Sequence, residues 1–206
     1  MNILNSDMLY WIMFAIPSIV IASTFHEYAH AWTATKLGDL TSKVNGRLTL
    51  NPLKHIDPIG AICMVFFKFG WSKPVPINEF NFENRLRDTA LVSLAGPTSN
   101  ILLLFAIALF NSVVKPTGNL FLFLLTFAMI NIVLAVFNLL PIPPLDGHKI
   151  VRAFLPQKAR FYWENLERFQ IPFLIILLIP IFPFGSIISL FITRVSSFLL
   201  LTLGLI

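Results

Sequence analysis

Charge is what this chain has least of. Only 12% of its residues are Asp, Glu, Lys or Arg, against 56% hydrophobic, and 21 of the 206 positions are Phe. Soluble domains carry about a quarter charged residues, so an ordinary water-soluble fold is excluded. Cysteine is nearly absent as well. Cys63 stands alone, cannot form an internal disulfide, and reads as a small apolar filler. The first apolar run lacks the basic flank and small-residue cleavage site of a signal peptide. No internal repeat or low-complexity tract appears, and no stretch can form a separate soluble domain.

The gaps between charges mark the elements. Met8 to Phe25, Thr89 to Val114, Pro116 to Leu145 and Phe169 to Thr193 are each long enough to cross about 30 Å of hydrocarbon, and an apolar tail runs from Val195 to Ile206. Near Gly185 the last region breaks, which leaves either one span and a tilted tail or two short spans. The net charge of +5 has a use other than nucleic acid: eight of the fifteen Lys and Arg lie between Lys36 and Arg87, and five between Lys149 and Arg168. The positive-inside rule places loops 31–88 and 147–168 in the cytoplasm, with the N-terminus outside. The expected fold is an all-α polytopic membrane protein, one domain over residues 1–206, with about four to six transmembrane segments.

Between the first two spans the pattern changes. The first helix should continue past His30 and stop at Gly38. Thr41 to Leu50 is rich in β-formers and contains Asn45-Gly46, which predicts a small two-stranded hairpin. Gly60 to Trp71 is too short to span and reads as a re-entrant or interfacial segment. Pro74 and Pro76 force Lys73 to Ile77 to be extended.

The chemistry sits at the end of the first span, in His26-Glu27-Tyr28-Ala29-His30. On a helix, histidines four residues apart share a face and can reach one metal ion, and Glu27 is placed to handle the proton of a water there. Ionisable groups at a membrane helix each cost about 2.5 to 3.5 kcal/mol, and a bound cation compensates. A catalytic zinc wants a third protein ligand. Thr33 and Lys36 occupy the positions of an extended motif, and the next glutamate after Glu27 is Glu79. Asp146, on the rigid Pro141-to-Gly147 turn at the same cytoplasmic depth, is the candidate, with His148 as runner-up and His55 as a loop residue. In the second span, Gly96-Pro97-Thr98-Ser99-Asn100 is either a close-packing site or presents Asn100 to the site as a hydrogen-bonding group that contacts substrate.

HEYAH, NPLKHIDPIG, FGWSKPVPIN, AGPTSN and NLLPIPPLDGHK together resemble the site-2 protease family of intramembrane zinc metalloproteases, in its compact bacterial branch without a PDZ or CBS domain. The resemblance covers about positions 8–155. It implies one Zn2+ per chain held by His26, His30 and Asp146, with Glu27 as general base and Asn138 holding substrate or the developing oxyanion. It also implies transmembrane protein substrates within a lipid bilayer. A substrate helix must unwind before attack, and extended segments at Thr41 to Leu50 and Lys73 to Ile77 are expected to receive the unwound strand by backbone pairing. A metal transporter or a catalytically inactive scaffold would use the same polar cluster differently. The first would spread ionisable groups through several spans, and the second would have no need of Glu27.

Overall fold

The computed structural model describes residues 6–67, 70–173 and 187–206. The first helix runs as α1 (Ser6–Tyr10), a π turn (Trp11–Ala15) and α2 (Ile16–Lys36). Among the described residues it makes, with α5 (Arg85–Val114) and α6 (Gly118–Asn138), three helices long and apolar enough to cross a membrane, over Asp7–Lys36, Arg85–Val114 and Gly118–Asn138. The predicted fourth span falls mostly, and the break near Gly185 entirely, outside the described residues. The C-terminal helix α9 (Ile187–Thr202) follows.

The three long helices pack on one another around Ala22, Leu104, Ala108, Phe127, Ala128 and Ile132, with Leu200 of α9 against the same cluster. Small residues at Ala22, Ala108 and Ala128 let the backbones approach, which is how helices associate where lipid offers no hydrophobic drive. Outward positions such as Leu102, Leu109 and Val113 are apolar and exposed. A surface of that kind suits hydrocarbon rather than water.

Among the described residues no β-sheet forms, and the predicted hairpin is corrected. Thr41–Val44 is a single helical turn, α3. Asp39 accepts hydrogen bonds from the Thr41 backbone N–H at 3.0 Å and from its hydroxyl, which starts the turn. Asn45-Gly46 then closes a helix instead of reversing a strand: Gly46 adopts φ +65, and Arg47 N–H returns to Ser42 O at 2.8 Å. The idea that Thr41 to Leu50 receives a substrate strand goes with the hairpin.

The expected short segment is a helix, α4 (Pro58–Phe67), capped by Asp57 through bonds of 2.9 Å from Ile59 and Gly60 N–H. Ten residues rise only about 15 Å, half a bilayer core. Trp11 Nε1 donates to Met64 O at 3.0 Å and ties α4 to the first helix. Residues 73–78 are extended, as the prolines require. Lys73 N–H bonds to His55 O at 2.8 Å, and Arg47 donates to Lys73 O. Beyond α6, the turn leads into α7 (Asp146–Phe154) and α8 (Gln157–Asn165).

Candidate metal centre

His26 and His30 lie ten and six residues before the end of α2 at Lys36, so His26 stands about 15 Å inside the helix. Gly96 and Asn100 lie eleven and fifteen residues after the start of α5 at Arg85, a matching depth on the antiparallel neighbour. Asp146, the first residue of α7, returns to the same place. Its Oδ2 is 3.3 Å from Nε2 of His26 and 3.3 Å from Nε2 of His30. All three residues offer a ligand atom within 4.8 Å of the others. Glu27 adjoins them, and both histidines and Glu27 are buried.

The hydrogen bonds behind the rings decide what these atoms can do. Nδ1 of His30 is 2.7 Å from the Val92 carbonyl, which can only accept, so this nitrogen carries the proton. Nδ1 of His26 is 2.7 Å from Oδ1 of Asn100. The Asn100 amide is oriented by its Nδ2, which donates to Ala22 O at 3.2 Å, so the oxygen faces the imidazole and His26 also carries its proton on Nδ1. In the neutral form of each ring Nε2 is therefore a lone pair, aimed at a buried carboxylate oxygen that has no hydrogen-bond partner. Three converging acceptors without a donor repel one another unless a cation lies between them.

Zinc fits that gap. Ligand bonds of about 2.0 to 2.1 Å in a tetrahedron separate the ligand atoms by about 3.3 Å, and the two Nε2–Oδ2 distances are 3.3 Å. Gly96 makes the room: a Cβ at that position would lie 2.6 Å from Nε2 of His26 and collide with Nε2 of His30.

Glu27 is held by residues that sequence reasoning did not single out. Its Oε1 accepts from Ser72 Oγ at 2.8 Å, and its Oε2 from Val75 N–H at 2.9 Å. A signal was present, since Val75 lies between Pro74 and Pro76 and owns the free N–H in an extended run that must bond elsewhere. Below this segment the buried Asp39 carboxylate gathers Asn78 N–H at 2.8 Å and Asn81 Nδ2 at 2.7 Å as well as Thr41. Burial alone would raise its pKa, but these donors more than offset it and lower it from 3.8.

The remaining candidates are placed as follows. Asn100 is fully buried, with its oxygen on His26 Nδ1 at 2.7 Å and its nitrogen donating to Ala22 O at 3.2 Å. Asn138, half-buried at the end of α6, donates to Leu134 O at 2.9 Å within its own helix. The runner-up ligand His148 is not in the cluster. It stacks on Trp163 at 5.0 Å and 8°, and burial lowers its pKa. His55 is a buried loop residue, bonded to Thr49 O at 2.8 Å.

The sequence profile of Peptidase family M50 matches residues 112–181, a stretch that holds α6 and the Asp146 turn. Likeness to whole proteins reaches further. The chain is 37% identical over 183 residues to YwhC of Bacillus subtilis (strain 168), named as a candidate zinc metalloprotease, covering 84% of this chain and 82% of that protein. It is 33% identical over 171 residues to Rip2 of Mycobacterium tuberculosis (strain H37Rv), named likewise, covering 77% of this chain and 63% of the relative. To zinc metalloprotease MJ0392 of Methanocaldococcus jannaschii it is 25% identical over 158 residues, covering 77% of this chain and 38% of that protein. No solved structure matches the chain.

These likenesses and the helices of membrane length agree on a class, the zinc metallopeptidases of membranes. The chain belongs to peptidase family M50, the site-2 protease family.

Proposed function

We propose that this chain hydrolyses peptide bonds of membrane-spanning proteins, with His26, His30 and Asp146 as the zinc ligands and Glu27 as the general base. The observation that carries the reading is the buried convergence of two Nε2 lone pairs on a partnerless carboxylate oxygen, about 15 Å inside a helix of membrane length.

A zinc ion held there supplies Lewis acidity, which polarises a carbonyl and acidifies water. The rest falls to the chain. Each Glu27 oxygen accepts one hydrogen bond from residues 72–75. A second lone pair on each is left to take the proton of the attacking water and return it to the leaving amine. Ser72 and Val75 keep that carboxylate from swinging away. A substrate helix has its carbonyls bonded internally and must unwind before attack, and the extended Lys73 to Ile77 segment offers backbone to the unwound strand. Asn138 steadies the substrate or the developing oxyanion at the end of α6. The basic loops 31–88 and 147–168 lie in the cytoplasm, so the centre opens toward that side, and residues 1–206 act as one domain.

Zinc content and cleavage, measured together, test the roles. Glu27→Gln should keep stoichiometric zinc and lose about 10²- to 10⁴-fold in rate, whereas His26→Ala, His30→Ala and Asp146→Ala should lose the metal. If Asp146→Ala keeps both zinc and activity, the ligand set is wrong. Comparing protein fragments from cells that carry wild type or Glu27→Gln tests the substrate class, which fails if every difference lies in soluble proteins.

A further inference from the structure

Asn131 is a fully buried amide in the middle of α6. Its Nδ2 donates to Phe127 O at 2.8 Å, one turn back along its own helix. That carbonyl can only accept, so the orientation of the amide is settled and Oδ1 points away from its own helix. There it accepts from Nδ2 of Asn100 at 3.0 Å. Asn100 Nδ2 thus has both its protons placed, one on Ala22 O and one on Asn131 Oδ1. A planar amide with two directed donors has no freedom left for its carbonyl. The Asn100 oxygen faces His26 Nδ1, at 2.7 Å.

We propose that Asn131 is a positioning residue for the metal centre: through Asn100 it fixes His26 in the Nδ1–H tautomer, so that a side chain on α6 aims a ligand on α2. The relay is polarised in one direction because carbonyls anchor it at Phe127 and Ala22. Without the Asn131 acceptor, one Asn100 N–H is unsatisfied in a site closed to water, and the amide gains a reason to turn over. A turned amide would present NH2 to Nδ1, drive the proton to Nε2 and remove the lone pair that faces Asp146. The bland use of the same bonds is to glue helices together, which would affect stability alone.

The inference rests on His26 being a ligand, so the experiment separates the two claims. Zinc affinity is measured by chelator competition on the full chain in detergent for wild type, Asn131→Leu, Asn100→Leu and the double variant. Substitutions behind a metal-bound histidine cost about 10- to 100-fold in affinity, and Asn131→Leu should fall in that range. Because Asn131 acts only through Asn100, the double variant should bind no more weakly than Asn100→Leu alone. Asn131→Asp, kept protonated by its apolar site, can still donate to Phe127 O and accept from Asn100, and should restore affinity to within about threefold of wild type. In the metal-free chain, 15N shifts of the histidines should show His26 protonated on Nδ1 in wild type and partly on Nε2 in Asn131→Leu. Losses that multiply in the double variant, or unchanged zinc affinity in folded Asn131→Leu, overturn the relay. Should that variant not fold, Asn131→Ala takes its place under the same criteria. If His26→Ala binds zinc as tightly as wild type, the ligand assignment has failed instead.

Discussion

Gly96→Ala places one methyl group where the rings meet. The new Cβ would stand 2.6 Å from both Nε2 and Cε1 of His26 and closer still to Nε2 of His30, whereas ordinary contact begins at 3.4 Å. Something must give by about 1 Å. The rings cannot simply swing aside, because the atoms that hold them, Val92 O and Asn100 Oδ1, belong to α5, the helix that carries Gly96. Sliding α5 outward would drag the same hydrogen bonds with it. Overpacking costs about 1 to 3 kcal/mol, and alanine recovers about 1 kcal/mol over glycine within a helix, so the variant should fold with a modest loss of melting temperature. A metal site tolerates only about 0.2 Å, so zinc affinity should drop by about 100-fold or more, and cleavage with it. Chelator competition and a thermal melt of the metal-free chain, run side by side, check both halves. Gly96→Ala that binds zinc as wild type does would refute the reasoning, and with it the claim that the absence of a side chain opens the centre.

Three other outcomes follow from the loop and the charges. Ser72→Ala removes one of the two bonds on Glu27, so kcat should fall by about tenfold while zinc content stays stoichiometric; parallel losses of zinc and rate would assign Ser72 to the metal site instead. Asp39 has a folded pKa depressed below 3.8, so the stability it contributes is present above that value and is lost as pH falls through the lower folded pKa. Asp39→Asn should therefore be less stable than wild type at neutral pH, and the two melting curves should converge on acidification; a constant offset down to acid pH would contradict this. Single cysteines at Lys54 and Lys158, in a background without Cys63, should react with an impermeant thiol reagent only from the cytoplasmic face, and one at Gly118 only from outside.

What could be read in advance was what is local along the chain. The histidine pair follows from a four-residue spacing on one helix, Asp146 from three prolines that end another, and the extension of residues 73–77 from the restrictions proline puts on its neighbours. The hairpin failed on an equally local signal that was outweighed. Asn45-Gly46 favours a tight turn between strands, but Asp39 had already committed Thr41 to a helical start, and the same dipeptide also suits a helix end. Sequence reasoning weighed the pair and overlooked the Asp39 side chain that bonds Thr41 N–H. Glu27's partners were missed for a different reason: Ser72 and Val75 are 45 and 48 residues away from it, and nothing in their composition announces which carboxylate they will meet.

The case of α5 shows where that boundary falls. Val92, Gly96 and Asn100 are spaced by four and lie on one stripe of the helix, a pattern visible in the sequence. As a pattern it fits close packing, and it equally fits a polar face, since it consists of a carbonyl, a gap and an amide. Only the partner decides. Once α2 lies antiparallel against it at matching depth, the carbonyl of Val92 meets His30, the amide of Asn100 meets His26, and the missing side chain of Gly96 falls where the two Nε2 atoms must converge. The close-packing and polar readings of the segment then describe one device: the helices must approach closely for the hydrogen bonds to reach the rings, and the glycine lets them approach without filling the place a metal needs. A variant that improves packing at position 96 should for that reason impair the chemistry, and one that preserves the gap but removes the amide at position 100 should leave the room and lose the aim.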